Sequence, residues 1–369
     1  MFVIVCAGCD APLTDALAEV VLPAHARQAY GNGVQLPVLM EPGTFAVDPE
    51  PWGRPWRPWE ELGPGEAAAR GFHAPVPYVS DGVPGAIVIA PGDARGTRLI
   101  PERAGGYCCG LDWGDGPNMA CVDCGLPVAS RIDDCSLWQA VWFAPDAVRR
   151  HPVDGADTAP RPWAALTALG SGTPPVEAIG RWSMGMVEQP QWRWSPRWEA
   201  AVGRALAHLL VSGRGRPVQV PEGLAAEVFQ RTLDALVPPG PPAVRAVLAG
   251  PGAPAPDADA DVLLVPAHPE TGEAWRPEGP AGAAARVVPL PFGVWRWLVA
   301  PERDARLPQS GGMPREVLRD EPALPRAHCR FRPDLHVFQH TLARLPAARA
   351  PWLRAILDDP WRYRREGAF

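Results

Sequence analysis

The chain contains no lysine; all 35 of its basic residues are arginine. A Schiff base, a carbamylated lysine or a phosphate-loop lysine therefore cannot come from this chain, and enzyme classes that need one are excluded unless a partner supplies it. Arg, Ala, Gly and Pro rise together, as in a GC-rich bacterial coding sequence. Long apolar runs are missing too: none approaches the ~18 residues of a membrane span. The opening MFVIVCAGCD has no basic stretch before its short apolar run, so neither a span nor a secretory leader is expected. The expectation is a cytoplasmic chain, with no membrane partner. In a reducing compartment its 8 cysteines read as metal ligands or redox thiols before structural disulfides.

What is present is unusual in three ways. Proline makes up 48 of 369 residues, about 13% against a usual ~5%, so ordered loops should be many and long helices few. Tryptophan outnumbers tyrosine 16 to 4, which supplies large aromatic anchors for a core or a binding surface. The net charge of −6 is uneven: residues 1–150 hold 18 acidic side chains against 10 Arg, and residues 151–369 hold 23 against 25. An acidic N-terminal half repels phosphate backbones, which argues against a nucleic-acid partner. The basic end PWRYRREGAF reads as a solvated tail.

The pattern predicts an α+β protein. Residues 1–150 form a β-rich domain with strands at 2–6, 18–23, 85–91, 97–101 and 137–143, bounded by Gly, Pro and Asp. A Pro/Trp-rich insertion, PEPWGRPWRPWEELGPGEAAARG, interrupts it as an ordered loop, with a short helix starting near Glu60 or Glu66. Residues 151–180 read as a linker, and 181–369 as a mixed α/β domain. In that domain SPRWEAAVGRALAHLLVSG predicts a helix with Ser195 as N-cap, Pro196 first inside and Gly213 after the last turn. Further helices are expected at 221–238, 292–301, 334–345 and 351–359, and strands at 243–249, 262–267 and 285–290.

Two Cys-x-x-Cys pairs, Cys6/Cys9 and Cys121/Cys124, each end an apolar lead-in and run into a turn residue, Asp10 or Gly125. In a metal knuckle such a turn carries two thiolates to one ion, and the residue after the second Cys can need φ > 0. Two knuckles close a tetrahedral four-thiolate site, so Cys6, Cys9, Cys121 and Cys124 are candidate ligands of one structural Zn²⁺. Cys9 and Cys121 are separated by 111 residues, which leaves open two unrelated thiol pairs or no metal.

A knuckle in an opening hairpin, a long β region and a second knuckle followed by a strand resembles the β-tent domain of Yippee-like proteins and methionine sulfoxide reductase B. The resemblance covers residues 1 to about 145 and implies a zinc-knuckle domain of β-tent or zinc-ribbon type. The reductase's His-Leu-Gly-His segment is absent after Cys124, where GLPVASRIDDC follows, and so is its Arg-x-Cys-x-Asn nucleophile motif. The resemblance therefore carries a fold expectation and no activity.

Cys108, Cys109 and Cys135 stand near the second knuckle. They read as buried small hydrophobes, as a substitute for a knuckle cysteine, as ligands of a second ion, or as exposed catalytic thiols activated by Arg131. His336 and His340 share a helical face, but Val337 stands where a zincin needs Glu; His328 or Cys329 could join them in a further metal site. Ser183 in RWSMGM lacks the first glycine of a nucleophile elbow. The glycines at 170–172 and 213–217 make weak phosphate loops, DADAD at 257–261 lacks the calcium-loop Gly and Glu, and Asp112 and Asp115 read as turn-formers. PWGRPWRPW, QWRWSPRW and VWRWLV alternate guanidinium and indole, suiting either internal cation-π stacking or contact with a protein partner.

The resulting expectation is a zinc-stabilised binding or scaffold protein, contacting a protein partner through Trp/Arg-rich loops. The alternative is a thiol-dependent enzyme using Cys108, Cys109 and Cys135.

Overall fold

Ile87, Val88 and Ile89 are all buried, yet their side chains go to different places. Successive strand residues point to opposite faces, so a run with no polar position belongs to a strand covered on both sides. In the computed structural model, Ile87 and Ile89 join one hydrophobic cluster and Val88 another. The described residues are all except 32, 52, 54, 107, 109, 154–158, 171, 184–185, 242, 255–258, 280–285, 301–329, 360–362 and 364–366.

The chain is α+β and forms two compact units. One comprises Met1–Glu61, Tyr78–Pro160 and Ile179–Pro190, the other Leu62–Pro77, Arg161–Ala178 and Gln191–Phe369. The first half contributes strands β1 Phe2–Cys6, β2 Ala18–Glu19, β3 Val34–Gln35, β4 Thr44–Val47, β5 Trp56–Pro58, β6 Tyr78–Ser80, β7 Ile87–Ile89, β8 Thr97–Leu99 and β9 Met119–Cys121. After these come β10 Pro127–Ile132, β11 Ala140–Phe143, β12 Val148–Pro152, β13 Val176–Ser183 and β14 Met186–Trp194. The last four are β15 Val218–Gln219, β16 Val244–Leu248, β17 Val262–Ala267 and β18 Arg286–Pro291.

In the first unit a seven-stranded sheet runs in the order β2-β4-β7-β11-β10-β9-β8, beside an antiparallel β1–β12 ribbon, a β14-β13-β3 sheet and a β5–β6 pair. One face of the large sheet buries Phe45, Ile89, Val141 and Phe143 with Ile4, Leu13 and Leu17. The other buries Ala46, Val88, Ala140 and Trp142 with Leu36, Met40 and Ile179. All the strands expected between 2 and 143 form, though AEVVLP is paired only at Ala18–Glu19. The expected loop after Glu50 contains β5, a 3-10 turn at Trp59–Glu61 and a helix at Pro64–Ala69.

An ion pair unforeseen from the sequence sits within this unit. Arg27 donates both to Asp48, at 2.6 and 2.7 Å, and to Glu50, while Asp48 is fully buried. Burial alone would lower the Arg27 pKa, but Glu50 and Asp48 raise it above its ordinary value, so the guanidinium stays charged.

The second unit holds a parallel sheet in the order β15-β16-β17-β18. β17, central and apolar throughout, is buried except at Ala267. The helix Pro196–Gly213 packs on β18 and on the helix Leu335–Arg344. The two helices approach closely because Gly203 has no side chain, and a Cβ there would lie 2.6 Å from the Asp334 carbonyl oxygen. Ser195 precedes the helix as expected but does not cap it, since its hydroxyl donates to Glu177 Oε1 at 2.5 Å. Gly213 is the last helical residue, and Arg214, at φ 53°, makes the left-handed exit. The segment expected at 221–238 is a π-helical turn, Ala226–Gln230, leading into Arg231–Leu236. Helices at Phe292–Val299, Leu335–Arg344 and Pro351–Asp358 follow the expected ranges, and a further helix, Trp163–Leu169, lies within the Pro/Gly-rich 151–180 segment.

Two measurements probe these buried groups. Arg27→Ala leaves the buried Asp48 carboxylate without its guanidinium and is expected to cost about 3–5 kcal/mol of unfolding free energy in urea. An unchanged denaturation midpoint would show that the pair carries no stability. Burial, aided by Arg204, pushes His208 on the Pro196–Gly213 helix from 6.5 down to about 4. The folded state thus disfavours the charged imidazole, so this group's stability contribution is present above ~6.5 and is lost as pH falls toward ~4. His208→Gln should flatten the thermal-melting profile across that window; an identical profile would contradict it.

Candidate metal centre

β1 ends at Cys6, the chain turns through Ala7, Gly8 and Cys9, and it returns along β1 through a bridge between Val5 and Pro12. Far along the chain β9 ends at Cys121, turns through Cys124 and returns as β10. The two turns carry the same hydrogen bonds. Cys6 N–H donates to Ala11 O and Asp10 N–H to Cys6 O, both at 2.9 Å. In the second, Cys121 N–H donates to Leu126 O at 2.9 Å and Gly125 N–H to Cys121 O at 3.0 Å. Asp10 and Gly125 adopt φ 57° and 78°, the left-handed conformation that the turn chemistry predicts.

These turns bring Cys6, Cys9, Cys121 and Cys124 together, with all four Sγ atoms within 4.8 Å of one another. Cys6 Sγ lies 3.5 Å from Cys124 Sγ, and Cys9 Sγ 3.7 Å from Cys121 Sγ. Tetrahedral Zn–S bonds of ~2.3 Å imply S···S spacings of ~3.8 Å, so the donor set fits an ion of that size. Cys6 and Cys121 are buried in the hydrophobic layer of the sheet, while Cys9 and Cys124 lie at the surface. Gly8 N–H points at Cys6 Sγ from 3.4 Å, and a Cβ on Gly8 would touch Cys124 Sγ at 3.4 Å.

The thiols differ in their ease of ionisation. Burial pushes the Cys6 thiol up. The Ala11 N–H favours the Cys9 thiolate, but burial and the thiols of Cys124, Cys121 and Cys6 outweigh it and push Cys9 up to about 12. The Leu126 N–H and the surrounding thiols hold Cys124 below its ordinary value despite burial. Four thiols this close resist ionising together, and a bound divalent ion reverses that balance and releases their protons.

No known protein-family model, curated protein or solved structure matches the chain.

A residue outside the cysteine motifs joins the two turns. Gly96 O accepts from Val122 N–H, inside the second turn, at 3.0 Å, and Arg95 N–H donates to Leu13 O, just past the first, at 2.8 Å. Gly96 has φ 54°, and a Cβ there would come within 2.6 Å of Pro12 O. Sequence reasoning passed over Gly96, since an isolated glycine before a strand signals only a turn.

A second group forms at Cys108, Asp134 and Cys135, whose ligand atoms also lie within 4.8 Å of one another. Cys109 lies outside the described residues, as do His328 and Cys329. None of the six described cysteines is in a disulfide. His336 and His340 stack at 6.4 Å between ring centroids, and His340 meets Phe72 edge-on. Asp112 Oδ1 accepts the Gly114 N–H in a turn, and Asp259 and Asp261 pair with Arg245 and Arg286. Gly170 ends the Trp163–Leu169 helix, and Ser183 closes β13. Among the described residues, no helix is long and apolar enough to cross a membrane.

Gly96→Ala places a methyl against Pro12 O in a left-handed backbone and is expected to destabilise the chain by about 1–3 kcal/mol. It should also speed transfer of zinc to a colorimetric chelator several-fold. Wild-type melting together with wild-type transfer kinetics would remove Gly96 from the centre.

Proposed function

We propose that Cys6, Cys9, Cys121 and Cys124 hold one structural Zn²⁺, and that the chain is a zinc-stabilised binding or scaffold protein. The observation that carries this reading is the convergence of four sulfurs within 4.8 Å from two turns with matching hydrogen bonds. Thiolate sets favour zinc over magnesium or calcium. Four protein ligands fill a tetrahedral ion, leaving no position for a reacting water, so the ion clasps the chain rather than performing chemistry. On this reading the N-terminal region is a zinc-knuckle domain of the β-tent kind, and a reducing cytoplasm keeps its thiols available for metal.

The partner-binding part of the proposal narrows to one of the three Trp/Arg stretches. Trp194, Trp198, Trp295 and Trp297 are buried, so QWRWSPRW and VWRWLV serve the core. Trp56 and Tyr78 are exposed on the β5–β6 pair, and Val83 is exposed beyond it. The Arg57–Asp81 ion pair at 3.1 Å braces that ribbon. Aromatic side chains held rigidly at a surface suit contact with a protein partner.

The test is metal content of the purified full-length protein. Cys6→Ser and Cys121→Ser are each expected to lose one zinc equivalent by elemental analysis, and to lower the melting temperature as folding free energy from the ion is lost. Retention of full zinc by both variants would refute the shared site.

A further inference from the structure

We propose that Cys108, Asp134 and Cys135 form a second metal site, open on one side, that takes a divalent ion of the zinc class. It is built by backbone contact. Leu111 and Asp133 exchange both backbone hydrogen bonds, at 3.1 and 2.9 Å, pinning the segment before β9 onto the end of β10. A Cβ on Gly106 would lie 1.7 Å from Gly110 O, and one on Gly110 would lie 1.8 Å from Asp133 O. Only glycine permits this approach, and the approach holds Cys108 Sγ 3.5 Å from Cys135 Sγ.

Asp134 completes the set. It is 8% exposed, and its two oxygens are oriented by main-chain donors of its fellow ligands: Oδ1 accepts from Cys135 N–H at 2.7 Å and Oδ2 from Cys108 N–H at 3.4 Å. A carboxylate oxygen has two lone pairs, so accepting one N–H is compatible with ligating a metal. Ligands that are themselves hydrogen-bonded are typical of metal sites. Two thiolates and a carboxylate carry three negative charges, enough to offset a divalent ion, and the thiolates select zinc over hard cations. The three ligands among the described residues leave the fourth tetrahedral position for water or an added ligand, as in catalytic rather than structural zinc sites. That position is reached from the side of Cys108, which is exposed, whereas Cys135 is buried. The six residues of β10 separate this group from the knuckle pair by roughly 20 Å of extended chain, so the two sites bind independently.

Zinc counting on the full-length protein, reconstituted with Zn²⁺ and desalted, tests the site. Wild type should hold two equivalents. Cys108→Ser/Cys135→Ser should hold one with an unchanged far-UV spectrum, and the isosteric Asp134→Asn should weaken the second equivalent at least tenfold in chelator competition. In Co²⁺-loaded protein, added imidazole should shift the visible spectrum of the wild type and leave that of the double variant unchanged, because only the open site accepts another ligand. Loss of zinc in Cys6→Ser/Cys121→Ser but not in the Cys108/Cys135 or Asp134 variants would overturn this proposal and leave the clasp standing. Loss only in the latter would support it while removing the clasp. A Cys108–Cys135 disulfide formed by diamide in zinc-saturated protein, with no zinc released, would also overturn it and assign the pair to thiol redox chemistry.

Discussion

Four sulfur atoms from two distant turns cannot sit within 4.8 Å of one another unless the backbone around them is held rigidly and their charge is managed. The first requirement is met by matching turns and by the strand-like segment at Gly96, which hydrogen-bonds toward both. Two of the thiols are anchored in the sheet's hydrophobic layer and two face outward. The second requirement shows in the thiols' environments: burial and the neighbouring thiols outweigh the Ala11 N–H and push Cys9 up to about 12, while the Leu126 N–H holds Cys124 below its ordinary value. On the proposed reading a divalent ion would resolve this tension, and its binding free energy would become folding free energy.

The layers of the first unit are joined by non-local contacts. The β1–β12 ribbon pairs residues near 4 with residues near 150, and the large sheet places β4 beside β7 and β7 beside β11. Closing such loops costs chain entropy. The proposed cross-link between the first turn and the β9–β10 turn would restrict the unfolded chain and tie the ribbon to the sheet. The buried Arg27–Asp48 pair acts differently, since its value lies in the penalty of separating it. The second unit is built from more local parts: parallel strands in sequential order, with helices packed against them through small residues.

Both cysteine groups also illustrate how ligand number separates structure from chemistry. As proposed, a closed four-cysteine set would stabilise without chemistry, whereas two thiols and a carboxylate would leave a coordination position exposed. The tryptophans divide in a comparable way. Trp194, Trp198, Trp295 and Trp297 serve packing, and among the described residues the β5–β6 ribbon turns an indole outward at Trp56.

Much of this was legible from residue order, for local physical reasons. Short β-branched or aromatic runs bounded by Gly, Pro and Asp located the strands β1, β7, β11 and β17, and helical patterning located the helices from Pro196, Phe292, Leu335 and Pro351. Turn sterics foretold the positive φ at Asp10 and Gly125. Apart from the two Cys-x-x-Cys turns, whose shared chemistry paired them in advance, residue order does not say which distant groups meet. The Gly96 junction, the Arg27–Asp48 pair, the shift of the Ser195 hydroxyl to Glu177 and the meeting of Cys108 with Asp134 and Cys135 were decided by tertiary packing. Each depends on chain segments brought together by the fold, where steric exclusion and buried charge, rather than local propensity, choose the partner.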